Sequence, residues 1–450
     1  MEKEKQKNFL DQVGLNFHRK LSFKLITIGF LVIILLIPKL MVLSLITERS
    51  ANAETAINEV MSKWSNNQTI TGPILTVPFK KIIFNENEEK YKEVIQTATF
   101  LPKKLNINGE IFPKKLYRNI YDVVVYESDI TLEGNFEMPD FSGLDINVND
   151  ILWENAQVLV AISDLRGINE EVSLNWNKTD VTFSPGMKTS AIGISGISAN
   201  FQNLSEKDFP GNFQISIQTK GSENIMFTPV GEKTNVKLYS DWNDPSFIGN
   251  FLPNTREIDE TGFKANWSIL HFNRNFPQHW IDDGNFAGVY GSKMHDSDFG
   301  VELITMANHY QKNMRSAKYA ILIVIITFIV FFMYEVFSKH RIHAFQYIMV
   351  GSGITIFYLL LLSISEHLGF NLAYLIASIA VLLLVILYTR SFMPKLKNSI
   401  GVGLAMGASY GFIFILLQIE DYALLAGSIS LFILLALLMY FTRKINWYNE

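Results

Sequence analysis

The sequence predicts an α-helical membrane protein of about six transmembrane helices with a large β-rich domain outside the cytoplasm. Three observations carry this. First, apolar runs near the ~20 residues needed to cross a bilayer recur at Phe23–Leu45, Tyr319–Phe337, Phe345–Ser363, Phe370–Tyr388, Ser399–Leu417 and Tyr422–Phe441. Second, the long stretch between the first two runs is built of short segments rich in Val, Ile, Thr and aromatics. Third, charge is divided: Thr47–Ala317 holds 35 acidic and 24 basic residues, and the rest of the chain holds 8 and 15. An acidic segment and a basic, apolar remainder belong to different compartments.

The elements follow in order. Residues 1–22 form a cytoplasmic tail with Lys3, Lys5, Lys7, Arg19 and Lys20. Residues 23–45 form the first span. Ala51-Asn52-Ala53 has the small-x-small form of a signal cleavage site, but the apolar run Leu25–Ile37 ends well before it. The span therefore reads as a retained anchor, with Lys39 snorkelling toward the outer interface. Thr47–Ser65 continues as a helix, with Ile57, Met61 and Trp64 on one face.

Strands are expected at Ile74–Phe84, Tyr91–Leu101, Leu105–Ile111, Ile120–Tyr126, Ile130–Phe136, Gln157–Ile162, Phe213–Thr219, Asn235–Tyr239 and Phe263–Ile269. Several alternate apolar and polar residues, as in Phe213-Gln214-Ile215-Ser216-Ile217, so one face is buried and one is wet. No long helical period separates them, which favours an antiparallel sandwich across 47–317. Asn308–Ala317 reads as a helix leading into a five-helix bundle over 319–441, with a short tail at 442–450.

Lys and Arg set the orientation. They fall in the N-terminal tail, at Lys339 and Arg341, at Arg390, Lys395 and Lys397, and at Arg443 and Lys444. The connections Ile364–Gly369 and Gln418–Asp421 have none. Both termini are then cytoplasmic in a multi-pass protein whose first partner is the lipid bilayer.

Composition excludes several classes. The 450 residues include no cysteine, so disulfides, thiolate metal sites and a cysteine nucleophile are absent. A net charge of −4 gives no basic field to recruit nucleic acid. No phosphate-binding loop, dinucleotide fingerprint or kinase signature occurs, and no cofactor is expected.

Several residues merit weighing. His279, Asp282, Asp283, His295, Asp296 and Asp298 crowd one short stretch and carry metal-compatible groups, but their spacing fits no established ligand motif. Gly193-Ile194-Ser195-Gly196 begins like a nucleophile elbow, yet Ile197 stands where a second glycine is required. Asp164, Arg166 and Gly167 follow a strand and read as a turn braced by an ion pair, or a binding loop, with Gly167 permitting positive φ. Glu335 precedes Lys339 by four residues, a favourable helical pair. Glu366 with His367, and Glu420 with Asp421, read as two solvated loops or, if the helices pack adjacently, as the lining of one outward-facing vestibule. Gly403, Gly407 and Gly411 recur every fourth residue, a stripe that lets helices pack closely.

Further stretches carry a resemblance. They are Gln68-Thr69-Ile70-Thr71-Gly72-Pro73-Ile74-Leu75, Ile162-Ser163-Asp164-Leu165-Arg166-Gly167-Ile168, Pro245-Ser246-Phe247-Ile248-Gly249-Asn250-Phe251-Leu252-Pro253, Arg315-Ser316-Ala317-Lys318-Tyr319-Ala320 and Leu359–Phe370. Together, in order along nearly the whole chain, they resemble the CreD family of bacterial inner-membrane proteins. Departures are small: Asn119 stands where that pattern has Gly, and Met306 where it has Pro. The resemblance implies an inner-membrane protein of cell envelope integrity and stress response, and no catalytic residues. The expected function is support of the envelope by binding an envelope protein, lipid or glycan. The alternative is a transporter or permease for a small or lipidic substrate, which needs polar groups or broken helices at midplane.

Overall fold

The computed structural model describes residues 21–85, 90–118, 120–187, 195–201, 204–282, 286–303, 308–338 and 340–419. Between 425 and 443 it describes 425, 427–429, 432, 435–436, 439–440 and 443. The chain divides into two compact units, Thr55–Met306 and Met1–Glu54 with Ala307–Glu450.

Helix α1 runs without a break from Leu21 to Trp64, with Pro38 inside it. Its 44 residues make about 66 Å of helix, about twice what the bilayer core requires. Its last turns belong to the first unit named, where Met61 packs with Val123 and Val125, and Ile57, Val60 and Trp64 join them. The face read from the sequence is the face that is buried.

The rest of that unit is mostly sheet. The strands are β1 (Gln68–Asn85), β2 (Lys90–Phe100), β3 (Lys104–Arg118), β4 (Tyr121–Phe136), β5 (Gln157–Ile162), β6 (Ser173–Trp176), β7 (Thr179–Pro185) and β8 (Gly196–Asn200). Then follow β9 (Gly211–Ser222), β10 (Asn224–Phe227), β11 (Lys233–Ser240), β12 (Pro245–Gly249), β13 (Thr255–Asp259), β14 (Gly262–Leu270), β15 (His279–Asp282) and β16 (Phe299–Leu303). A short helix α2, Phe286–His295, precedes β16.

The strands pair in the order β12-β16-β10-β1-β5-β8-β7-β6-β9-β4-β3-β11-β14-β13, with β2 bridging β1 and β15. The two ends of this order, β12 and β13, are neighbours in sequence, so the sheet folds back over itself. The Phe247 ring from β12 accordingly meets Trp267 and Phe263 of β14 at 5.7 and 5.9 Å. One core fills the space between the layers, from Ile70 and Leu75 to Phe299 and Val301.

Two expectations are corrected. The segments Ile120–Tyr126 and Ile130–Phe136 are one strand, β4, because β3 pairs with it continuously from Lys104 to Arg118. The strand continues through the polar interval Glu127–Asp129, where Lys114 reaches Glu127 across the strands at 2.7 Å. Nor is the pairing wholly antiparallel: β1 runs parallel to β10, and β3 to β11.

The other unit is helical: α3 (Asn308–Lys318), α4 (Ala320–Ser338), α5 (Ala344–Leu368), α6 (Phe370–Arg390) and α7 (Leu396–Gln418). Among the described residues, five helical stretches are long and apolar enough to cross a membrane, and the first is Phe23–Trp64. Gly369, at φ 77°, is the joint between α5 and α6, a conformation that favours glycine. The expected sixth span, Tyr422–Phe441, falls largely outside the described residues, as do the tails.

Candidate functional site

A helix ends with carbonyls that have no partner in the helix. At the end of α1 they meet the turn that follows β5. Arg166 directs Nη1 to the Ser62 carbonyl at 2.5 Å. Its Nε and Nη2 grip the Asp164 carboxylate at 2.9 and 2.6 Å. Asp164 also accepts the Asn66 and Arg166 backbone N–H groups, at 3.0 and 3.1 Å. One carboxylate thereby holds both the chain leaving α1 and the short helical turn Leu165–Gly167.

The strands on either side complete the junction. Gln68, the first residue of β1, uses Nε2 to reach Ser65 Oγ and the carbonyls of Asp164 and Lys220, each at 2.9 Å. Ser222 donates to the Ser65 carbonyl at 2.5 Å. The Lys220 ammonium sits 4.8 Å from the centre of the Trp64 ring. Glu59, one turn back on α1, pairs with Arg118 at 3.0 Å and Lys63 at 2.7 Å.

Gly167 does not need positive φ here. It needs the absence of a side chain: a Cβ would lie 2.5 Å from Gln68 Nε2 and 2.8 Å from Thr219 Oγ1, and press on the Lys220 carbonyl. The two-pronged hydrogen bond from Arg166 holds Asp164 down to about 2, against the desolvation that would raise it. The arrangement is a latch that stays ionised in acid.

The metal-compatible residues do not gather. Among the described residues, no three His, Asp or Glu groups are placed to hold an ion. His279 and Asp282 lie on β15, where the His279 ring is stacked on Phe100 at 6.1 Å. His295 Nδ1 lies 3.0 Å from Asp298 Oδ2. The other Asp298 oxygen accepts from Thr228 at 2.5 Å, and Thr228 shares a 2.6 Å hydrogen bond with Thr71. Asp298 thus works inward as an anchor, and its hydrogen bond raises the His295 pKa. Asp283 lies outside the described residues.

Ser195 donates to the Ile162 carbonyl at 2.5 Å and is a tie between segments. Gly193 and Ile194 lie outside the described residues. Glu335 pairs with Lys24 of α1 at 3.2 Å, and Lys24 also donates to the Ile342 carbonyl at 2.6 Å. Lys339 lies outside the described residues.

Of the vestibule residues, Glu366 accepts from Tyr310 at 2.9 Å and His367 is exposed, while Glu420 and Asp421 lie outside the described residues. Beside Glu366, Asn313 donates to Ser365 at 2.8 Å, and His309 Nδ1 accepts from Phe370 N at 3.2 Å. In the glycine stripe, a Cβ on Gly403 would lie 2.5 Å from Ile386 Cδ1, and one on Gly407 3.5 Å from Leu382 Cδ1. At Gly411 no described residue comes within 4 Å.

Sequence reasoning reached Asp164, Arg166 and Gly167 but missed Gln68, Ser65, Ser222 and Lys220. The first of these opens one of the stretches singled out above. The others are polar residues that only strand pairing brings to the turn.

Comparison with known proteins bears on the whole chain. The family described as "Inner membrane protein CreD" matches residues 20–448. The Inner membrane protein CreD of Escherichia coli (strain K12) is 30% identical over 430 residues, covering 95% of this chain and 94% of the relative. Among solved structures, an M1 zinc metallopeptidase from Deinococcus radiodurans in complex with a tripeptide substrate matches 38% of this chain and 39% of its own. At 7% identity and a TM-score of 0.18 it carries no argument. With the family matched almost end to end, the chain belongs to the CreD family of inner membrane proteins.

Proposed function

We propose that the β-rich domain lies in the periplasm, with both termini cytoplasmic, and supports cell envelope integrity by binding rather than by catalysis. The observation that carries this reading is the latch. Arg166 reaches the last turn of α1, and Asp164 and Gln68 hold the residues just after it to the sheet. The two-pronged, charge-assisted contact is strong and fixed in geometry, so it holds the β-rich domain firmly on the end of its anchor helix. Family membership and the distribution of Lys and Arg support the location.

Two experiments test it. Reporter fusions at Asn108, Arg341, Glu366 and Lys395 should read periplasm, cytoplasm, periplasm and cytoplasm. A cytoplasmic signal at Asn108 overturns the topology. Photo-crosslinkers at exposed positions of β3 and β9 in the full chain, in intact cells, should capture an envelope component. Capture of nothing but this chain itself overturns the binding reading.

A further inference from the structure

A shallow, solvent-open depression of about 660 Å³ lies on the outer face of β3, β4, β6 and β9. Ligand sites of this volume, roughly 300–1,000 Å³, are usually more enclosed. Unlike most such sites it is walled by amides. Asn106 of β3 faces Glu133 of β4, Glu133 faces Gln214 of β9, and Gln214 faces Asn175 of β6. Facing residues on paired strands share one side of a sheet, so these four form an unbroken polar row. Asn135 and Lys104 begin the adjoining row.

The row extends beyond the cavity. Asn106 is in register with Asn235 of β11, and Asn235 with Ser268 of β14. The whole line crosses six strands, about 24 Å at the usual inter-strand spacing. It is wired internally: Ser268 donates to Asn235, and Asn235 to Asn106, each at 2.9 Å. At the far end Asn175 donates to Asp180 at 2.7 Å. The turn beyond it, Asn177-Lys178, has positive φ at both residues, as a tight hairpin of this kind requires. Asn177 pins it by donating to the Asp208 carbonyl at 2.7 Å and accepting from Asn212 N at 2.9 Å. In the middle, the side chains of Glu133, Asn135 and Gln214 make no hydrogen bond among the described residues. Their donors and acceptors face the cavity unspent.

Three ligand chemistries can be compared. A polyanion needs a concentration of cations, and here Lys104 and Lys178 stand beside one carboxylate. A peptide needs an open strand edge or an apolar anchor pocket, but β3, β4 and β9 are each paired on both sides, and Phe213 and Leu105 are buried beneath. A sugar presents rows of hydroxyls, each both donor and acceptor, which amides and a carboxylate can match group for group. We propose that this amide-lined cleft binds a hydroxyl-rich, uncharged glycan chain, with Glu133 and Gln214 at the centre of the contact. The length of the row fits an extended oligosaccharide rather than a single ring. The inference rests on the binding reading above and supplies its partner.

The test uses the full-length protein in a sugar-free zwitterionic detergent, titrated calorimetrically with chitotetraose and with cellotetraose. Saturable binding of at least one is expected. Glu133→Ala and Gln214→Ala should each weaken it at least tenfold, as loss of a hydrogen bond to or from a charged or well-placed polar group does. Glu257→Ala, on exposed β13 outside the cleft, should leave it unchanged. Absence of saturable binding by the wild type, or equal weakening in all three variants, overturns the proposal. If the sugars fail while crosslinking in cells still captures an envelope protein, the glycan assignment falls and the binding reading stands. If the sugars are shortened, as mass spectrometry would show, the reading of binding without catalysis falls instead.

Discussion

Arg166 closes a two-pronged ion pair on Asp164 and turns its remaining amine to the Ser62 carbonyl, so a turn in the sheet caps the end of a 44-residue helix. Asp164 is about nine-tenths buried, whereas Arg166 keeps more than half its surface in solvent. The carboxylate is therefore the buried member, and its loss leaves the Asn66 and Arg166 N–H groups short of an acceptor.

Asp164→Asn should lower stability by about 1–3 kcal/mol, the range for a charged hydrogen bond to a partly buried group. Arg166→Lys should recover little of a deletion at that position, since an ammonium cannot make the two-pronged contact. Thermal unfolding in detergent reads both. Equal melting of Asp164→Asn and wild type would show that the junction bears no load.

The same pair sets an acid response. The Asp164 pKa is depressed to about 2, so its contribution is full above the unfolded carboxylate value of about 4. It is lost as pH falls through about 2. Between these limits the wild type should lose its advantage over Asp164→Asn. His295 has the opposite sign: its raised pKa gives stability present below the unfolded value of about 6.5 and lost as pH rises through the folded one. His295→Asn should flatten that alkaline limb, as melting curves across neutral pH would show.

Gly167→Ala should cost about 2–4 kcal/mol, because the new methyl presses on the Lys220 carbonyl and on Gln68, and backbone cannot step aside. Gly403→Leu should also destabilise, by about 1–3 kcal/mol, and more than Gly407→Leu, whose neighbour stands at ordinary contact distance. The obstruction at Gly403 is the end of the Ile386 side chain, which can partly rotate away. Abundance and melting of the variants decide the order.

Lys24 and Glu335 should couple. Each single replacement, Lys24→Met or Glu335→Leu, leaves a partly buried charge without its partner 3.2 Å away. The double replacement should restore part of the loss, with a coupling energy of about 1 kcal/mol or more. Strict additivity in a double-mutant cycle would contradict the pairing.

Replacing His279, Asp282 and His295 together should leave an envelope phenotype fully complemented at normal protein levels. Asp298 is kept out of this test because it anchors Thr228 and, through it, Thr71. Loss of complementation with metal bound to the purified wild type would favour an enzyme.

The sequence by itself determined five runs long and apolar enough to cross a membrane, the β-rich character of the segment between the first two, and the braced turn at Asp164. Each is a local property: hydropathy over one helix length, alternation along one strand, two charges two residues apart. Tertiary structure alone decided who the partners are. Glu335 pairs with Lys24, more than three hundred residues away, a partner that nothing local to α4 indicates. Strands read as two became one because β3 supplied a continuous partner. Asn106, Glu133 and Gln214 fall in three separately expected strands, and Asn175 in β6, which was not expected. Strand register, a relation between distant segments that no single segment encodes, set them side by side in one row.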